Sequence, residues 1–171
     1  LYSKFKTDEL SIPIYANAVK LRGLYGFTNI ARVTKPCVTI SARGSGTGHT
    51  ELRKEHFLPI VRLIVVIPNS EIMNLEFLKH IIDSLVIVRS GSAIPQLTVP
   101  MIKKYQISFP PIQEQHQIVK KLNSLSAETI KLEGIYKQKI TDLKEMKKSV
   151  LQKAFSGKLA IENEILTVQN D

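Results

Sequence analysis

The sequence has 171 residues, enough for one ordinary domain, or for a domain of about 110 residues with an appendage. An apolar fraction of 43% argues against global disorder, and no stretch approaches the roughly 18 apolar residues needed to cross a bilayer. A formal charge of +9 fits an acidic partner (nucleic acid, an acidic protein or a membrane surface) or a merely basic exterior, while a single cysteine excludes an internal disulfide.

The chain opens at Leu1 with no initiating Met and no basic-then-apolar leader, and it reads as a sequence whose start has been cut away. Ser11 to Val19 alternates like a strand, and Leu24 to Asn29 reads as a turn-rich hairpin region. Pro36 precedes a short β-branched run, Cys37 to Ser41, in which the lone thiol is expected to be buried and inert. Arg43 to Gly48 then places glycine at every second position. Phe57 to Ile67 looks like one further strand, closed by Pro68 and Asn69. A single good helix is predicted from Leu75 to about Val86, capped by Asn74, with Leu75, Leu78, Ile82 and Leu85 on its apolar stripe. Arg89 to Ala93 is a glycine and serine turn, and Val99 to Ile107 leads to Pro110 and Pro111, which close the module. Many short strands around one helix predict a mixed α/β globular domain over residues 1–112.

Beyond the double proline the pattern changes. Ile118, Leu122, Leu125, Thr129, Leu132, Tyr136, Leu143, Met146 and Val150 follow a 4-3-4-3 spacing, with Lys139 at the one missing position. This is a heptad seam on a long coiled-coil helix, expected over residues 113–157 and roughly 60 Å long. Such a stripe cannot be buried against its own helix, so a second helix is expected to cover it. Ile118, Leu122, Leu125, Leu132, Tyr136, Leu143, Met146 and Val150 are the pairing residues, and residues 158–171 read as a frayed tail.

Charge is unevenly distributed. Residues 1–112 hold all six arginines and eight lysines against seven acids, whereas residues 113–171 hold ten lysines and eight acids. Arginine presents a planar fork of donors suited to phosphate and guanine, so nucleic-acid contact is expected in the first part. The segment Arg43-Gly44-Ser45-Gly46-Thr47-Gly48 lacks the Lys-Ser/Thr of a nucleotide-binding loop and misses the dinucleotide spacing. Two readings stay open for it: a plain hairpin loop, or a segment that brings Arg43, Ser45, Thr47 and His49 close to phosphates. Lys20, Arg22 and Tyr25 form a second basic-aromatic cluster, with packing or DNA contact as its alternatives. The histidines His49, His56, His80 and His116 do not converge in sequence. No His-Glu-x-x-His motif, paired carboxylates or tied Ser-His-Asp set appears, so neither a metal site nor catalysis is expected. The lysines and acids of the long helix read as a solvated face.

Several of these segments, in order, resemble the specificity subunit of type I restriction-modification systems. Ile12-Pro13-Ile14-Tyr15 with Leu24-Tyr25-Gly26-Phe27 and Asn29, Thr39 to Gly48, and Ser90 to Leu97 are similar to that family's motifs in the recognition domain. Pro110-Pro111-Ile112-Gln113-Glu114-Gln115 through Val119 resembles the start of its conserved helix, and Leu143 to Leu159 resembles the end. The resemblance implies a non-catalytic DNA target-recognition domain plus a helix that pairs antiparallel with another. The partners it implies are double-stranded DNA, methyltransferase subunits and a restriction subunit. It also implies a second recognition half, or a copy of this chain, and a cytoplasmic setting. No cofactor is expected in this chain, S-adenosylmethionine being held by the methyltransferase. Gly91 to Leu97 and the helix start Gln113 to Val119 read as a domain-helix joint or partner dock. The competing reading is a coiled-coil scaffold that holds proteins without reading DNA.

Overall fold

The computed structural model describes residues 1–85 and 96–157. The expected turn at Arg89–Ala93, most of the Ser90–Leu97 segment and the tail at 158–171 lie outside them. Two compact units are present, Leu1–Lys121 and the remainder from Leu122 onward. The first therefore includes the opening turns of the long helix, beyond the 1–112 boundary read from sequence.

The first unit is built on two three-stranded sheets. In one, β1 (Ile12–Tyr15) lies between β2 (Leu24–Thr28), antiparallel, and β5 (Leu58–Pro59), parallel. In the other, β3 (Cys37–Ser41) lies between β4 (Thr50–Arg53) and β6 (Leu63–Val66), both antiparallel. Every residue of β3 is buried, because it is the central strand and both its faces are covered. Val38 and Ile40 join the main core with Ala42, Met73, Phe77, Leu78, Ile82, Leu97 and Val119, while Cys37 joins a second cluster with Val33 and Phe57. The apolar run of β6 has the same cause: Ile64 and Val66 pack on the main core, Leu63 and Val65 on the second cluster. Desolvation in that second cluster pushes the Cys37 thiol up to about 11, so the thiolate needed for reaction is scarce at neutral pH.

Three strand expectations are corrected. The alternation expected over Ser11–Val19 persists only from Ile12 to Tyr15 as strand. Leu24 to Thr28, within the expected turn-rich hairpin region, is strand throughout and pairs antiparallel with β1. Phe57 to Ile67 is two strands in different sheets, separated by a turn at Val61 and Arg62, both left-handed (φ 38° and 57°). Positive φ is unfavourable for a β-branched residue, and Val61 is 70% exposed, so its side chain gains little from packing. Val61→Gly should therefore stabilise the unit by about 1 kcal/mol in a denaturant titration, the relieved strain exceeding the added chain entropy. An unchanged or lower midpoint would show that the Val61 side chain holds the turn.

Helix α1 (Leu75–Ser84) starts where the sequence places it: the Asn74 side-chain oxygen accepts from the Phe77 N–H at 2.9 Å. Phe77, Leu78 and Ile82 carry its buried stripe. Asp83 ties it to β4 by accepting from the Thr50 hydroxyl, and it also takes Lys79 at 2.5 Å. A short helix α2 (Val99–Ile102) stands where the sequence suggested only an approach to the prolines. Helix α3 then runs without a break over 44 residues, Ile112–Phe155. No described helix is long and apolar enough to cross a membrane.

Candidate nucleic-acid interface

Three turns of the first unit meet at one end of the sheets, with Asn17 as their clasp. Its side-chain oxygen accepts from the Ala42 N–H at 2.5 Å and the Arg43 N–H at 3.2 Å, and its amide donates to the Arg43 carbonyl at 2.6 Å. The Ile60 N–H donates to the Tyr15 carbonyl, and the Ala42 N–H also reaches the Arg62 carbonyl at 3.2 Å. Val19 lies against Gly46 so closely that a Cβ there would meet its methyl at 2.6 Å. The Lys20–Gly23 turn, the Arg43–His49 loop and the Ile60–Arg62 turn thereby share one surface.

The glycine segment is the hairpin between β3 and β4. Gly44 and Gly48 take positive φ (87° and 92°), which turns the chain so that the Gly48 N–H reaches the Ser41 carbonyl at 2.8 Å. Thr47 is buried and its hydroxyl donates to the Gly44 carbonyl at 2.7 Å, so it shapes the loop from inside and offers no outward donor. His49 points its Nε2 at Glu51 (3.1 Å). Arg43 and Ser45 differ. Their side chains form no hydrogen bond or ion pair among the described residues, and Ser45 is exposed.

The Lys20–Tyr25 cluster divides in the same way. Leu21 and Arg22 adopt left-handed conformations (φ 50° and 54°), normally costly outside glycine. The turn is held by its neighbours: the Arg22 Nε donates to Glu51 at 2.8 Å, its terminal nitrogen to the Leu52 carbonyl at 3.1 Å, and its own carbonyl accepts from Arg53. Burial acts to raise the Glu51 carboxyl, but the bonds from Arg22 and His49 outweigh it and hold it below the usual range. Tyr25 stacks on Tyr2, with ring centroids 5.4 Å apart. Lys20 is exposed and makes no ion pair among the described residues. Of the seven residues singled out by sequence, exposed Lys20 and Ser45 and half-buried Arg43 have side chains with no partner among the described residues, Arg22, Thr47 and His49 brace the turns, and Tyr25 leans on the first residues of the chain.

Three contributors carried no sequence signal. Asn17 makes its contacts only across the fold, and Arg62 reaches this end only because β5 and β6 separate before it. Arg53 is 2% exposed and lies over the Tyr15 ring at 3.5 Å. Its guanidinium, pulled down by burial, supports the Arg22 turn from beneath. Among the described residues no group of three or more His, Cys, Asp or Glu gathers to hold a metal ion.

The first turn of α3 has a separate role. Gln115 is fully buried: its oxygen accepts from the Asn74 N–H at 2.8 Å, and its amide donates to the carbonyls of Ile72 (2.9 Å) and Pro110 (2.8 Å). Its neighbours Ile112 and His116 line an open cleft of about 780 Å³ with Met73 and Asn69. Ile118 packs against the main core, so this first residue of the expected seam serves the globular unit. From Leu122 onward the seam residues are exposed.

The family model described as the type I restriction modification DNA specificity domain matches residues 2–142. Over 124 residues the chain is 32% identical to a putative type I specificity subunit, S.MpnORF507P, of Mycoplasma pneumoniae, and 33% identical to a second, S.MpnORF89P. These alignments cover 72% of this chain but only 34% and 36% of the relatives, so the chain spans about a third of their length. It is 34% identical over 99 residues to the S.MpnORF289P C-terminus of the same organism, covering 58% of this chain and 67% of that one. Among solved structures, a chain from work on complex assembly and conformational transition of the type I R-M system superposes with a TM-score of 0.72 at 19% identity (92% of this chain, 41% of that one). The HsdS subunit from Thermoanaerobacter tengcongensis gives 0.60 at 18% (92% and 40%), and the S subunit from M. genitalium 0.52 at 17% (72% and 34%). At these identities the likeness is one of fold.

Proposed function

The chain belongs to the type I restriction-modification DNA specificity family, and from that premise we propose that it recognises double-stranded DNA in a sequence-specific way. On this reading it is the non-catalytic component that directs methyltransferase and restriction subunits to their target in the cytoplasm. The methyltransferase brings S-adenosylmethionine, and this chain holds no cofactor of its own. One observation carries the assignment of the face. Where the turns meet, Asn17 fixes the Arg43 backbone, and the side chains of Lys20, Arg43 and Ser45 make no hydrogen bond or ion pair among the described residues. A cation fixed by its backbone and free at its tip is suited to phosphate or to guanine O6 and N7. The cleft beside His116 and Ile112, at the joint to α3, is the surface we assign to a docking subunit.

Arg43→Ala should weaken duplex binding by the assembled complex about fivefold or more, equivalent to roughly 1–3 kcal/mol, and flatten its salt dependence by about one unit of slope if the contact is a phosphate. Folding and methyltransferase docking should survive. Arg22→Ala should instead lower the melting temperature, since its guanidinium is spent on Glu51 and Leu52. Unchanged affinity for Arg43→Ala in a fluorescence-anisotropy titration would remove this face from the reading.

The exposed seam of α3 favours a second reading, a scaffold that assembles proteins through the helix without touching DNA. Salt separates the two. Duplex affinity should fall steeply as salt rises if phosphates are contacted, and a scaffold would show no duplex affinity to lose.

A further inference from the structure

We propose that the Val61–Arg62 turn reads bases beside Arg43: Arg62 donates to O6 and N7 of a guanine, and Val61 packs on the C5-methyl group of a neighbouring thymine. The proposal rests on the DNA-reading assignment of this face and goes further by naming two residues that set specificity and the bases they take.

Two turns at this end of the sheets have the same build. Each carries an apolar residue followed by an arginine, both left-handed: Leu21 and Arg22 (φ 50° and 54°), Val61 and Arg62 (φ 38° and 57°). The fold accounts for the arginine of the first turn, because the Arg22 guanidinium bonds Glu51 and the Leu52 carbonyl. The second turn is fastened through its backbone: the Ile60 N–H donates to the Tyr15 carbonyl at 2.9 Å, and the Arg62 carbonyl accepts from the Ala42 N–H at 3.2 Å. Glycine or asparagine would keep both bonds with less strain. Val61 is 70% exposed, and Arg62, also exposed, has a side chain with no hydrogen bond or ion pair among the described residues. Strain held at two side chains that the fold itself does not use points to a contact made outside the chain.

The surroundings and the chemistry select that contact. Arg62 is fastened to Ala42, next to Arg43, so two arginines without a carboxylate partner among the described residues share this edge. Glu51, on β4, is already taken by Arg22 and His49. Such an edge favours an anionic partner. A phosphate contact asks only for a cation, and a β-branched apolar neighbour adds nothing to it. An apolar side chain gains where it covers an apolar group, and the thymine methyl is the one methyl group that the major-groove edge of a base pair presents. The guanidinium fork matches the paired acceptors of guanine. Consecutive Cα atoms lie about 3.8 Å apart, close to the roughly 3.4 Å between stacked base pairs, so the two side chains suit neighbouring pairs.

The test is enrichment of duplexes of randomised sequence by the assembled complex, followed by titration of the enriched duplex. The wild-type complex should enrich a sequence with guanine and thymine in neighbouring base pairs. Arg62→Gln should lose the preference for that guanine, weakening binding of the enriched duplex about fivefold or more while duplexes altered at that pair bind as before. Val61→Gly should lose the choice at the adjacent pair. Deoxyuridine in place of that thymine removes only the methyl group; it should weaken wild-type binding about fourfold and leave Val61→Gly binding unchanged. Unfolding would not account for these losses: Val61→Gly is expected to be the more stable chain, and Arg62→Gln keeps the carbonyl that accepts from Ala42. Equal weakening of every duplex by Arg62→Gln would make Arg62 a phosphate contact and overturn the proposal, as would a thymine preference that survives in Val61→Gly. Both variants enriching the wild-type sequence would overturn it while DNA reading stands. A wild-type complex that enriches no sequence would overturn the DNA reading as well.

Discussion

Replacing Gln115 with leucine should lower the stability of the globular unit by about 3–5 kcal/mol, although the two side chains are of similar size. The glutamine amide bonds three backbone groups that belong to different parts of the chain: the Asn74 N–H, the Ile72 carbonyl and the Pro110 carbonyl. It is fully buried, so no water takes its place when it is lost, and each orphaned group costs about 1–3 kcal/mol. The first turn of α3 and the loop ahead of α1 would lose their common fastening. A urea titration should show a lower midpoint at an unchanged slope. Gln115→Glu should also destabilise, because a carboxylate keeps the acceptor for Asn74 but turns both donor contacts into acceptor against acceptor. A loss below about 1 kcal/mol for the leucine variant would mean that the joint is held by Val119 and Ile118 packing alone.

The second large effect is expected from Leu132→Asp. This seam residue is 53% exposed, so the charge costs the isolated chain little. Once a partner helix covers the seam, the change removes a buried leucine worth about 2 kcal/mol and adds a desolvated carboxylate, and any symmetric pairing counts both twice. Helix association should weaken by a hundredfold or more in sedimentation equilibrium. The helical circular dichroism signal should fall as well, because a striped helix without its partner frays. Lys148→Gln, off the seam, should leave both readouts where they were. If Leu132→Asp assembled like the parent chain, the stripe would not be a binding surface at all.

How far each feature could be read in advance depended on how local its cause is. The Asn74 cap and the run of α3 were legible because a cap is one hydrogen bond across three residues, and a heptad repeats within a few turns. The helix start Gln113 to Val119 was read by resemblance as a joint or a partner dock, but the three backbone groups that Gln115 fastens could not be read from the motif. The stretch from Phe57 to Ile67 misled because both halves are apolar strands. Its division at Val61 serves two sheets, and each sheet is completed by residues more than ten positions away. The expected contact set failed to separate for a related reason. Arg22 and Arg43 look equivalent in a composition. Only the position of Glu51 on the neighbouring strand consumes one of them and spares the other.

By itself, then, the sequence determined the family, the mixed α/β module and the striped helix that needs a partner, because motif order and periodicity are properties of the chain written in line. Only the tertiary structure decided which cations face outward and which brace a turn, and where the globular unit ends along α3. Those outcomes depend on which carboxylates and carbonyls arrive from distant strands, and hydrogen-bond partners more than ten residues apart leave no local trace.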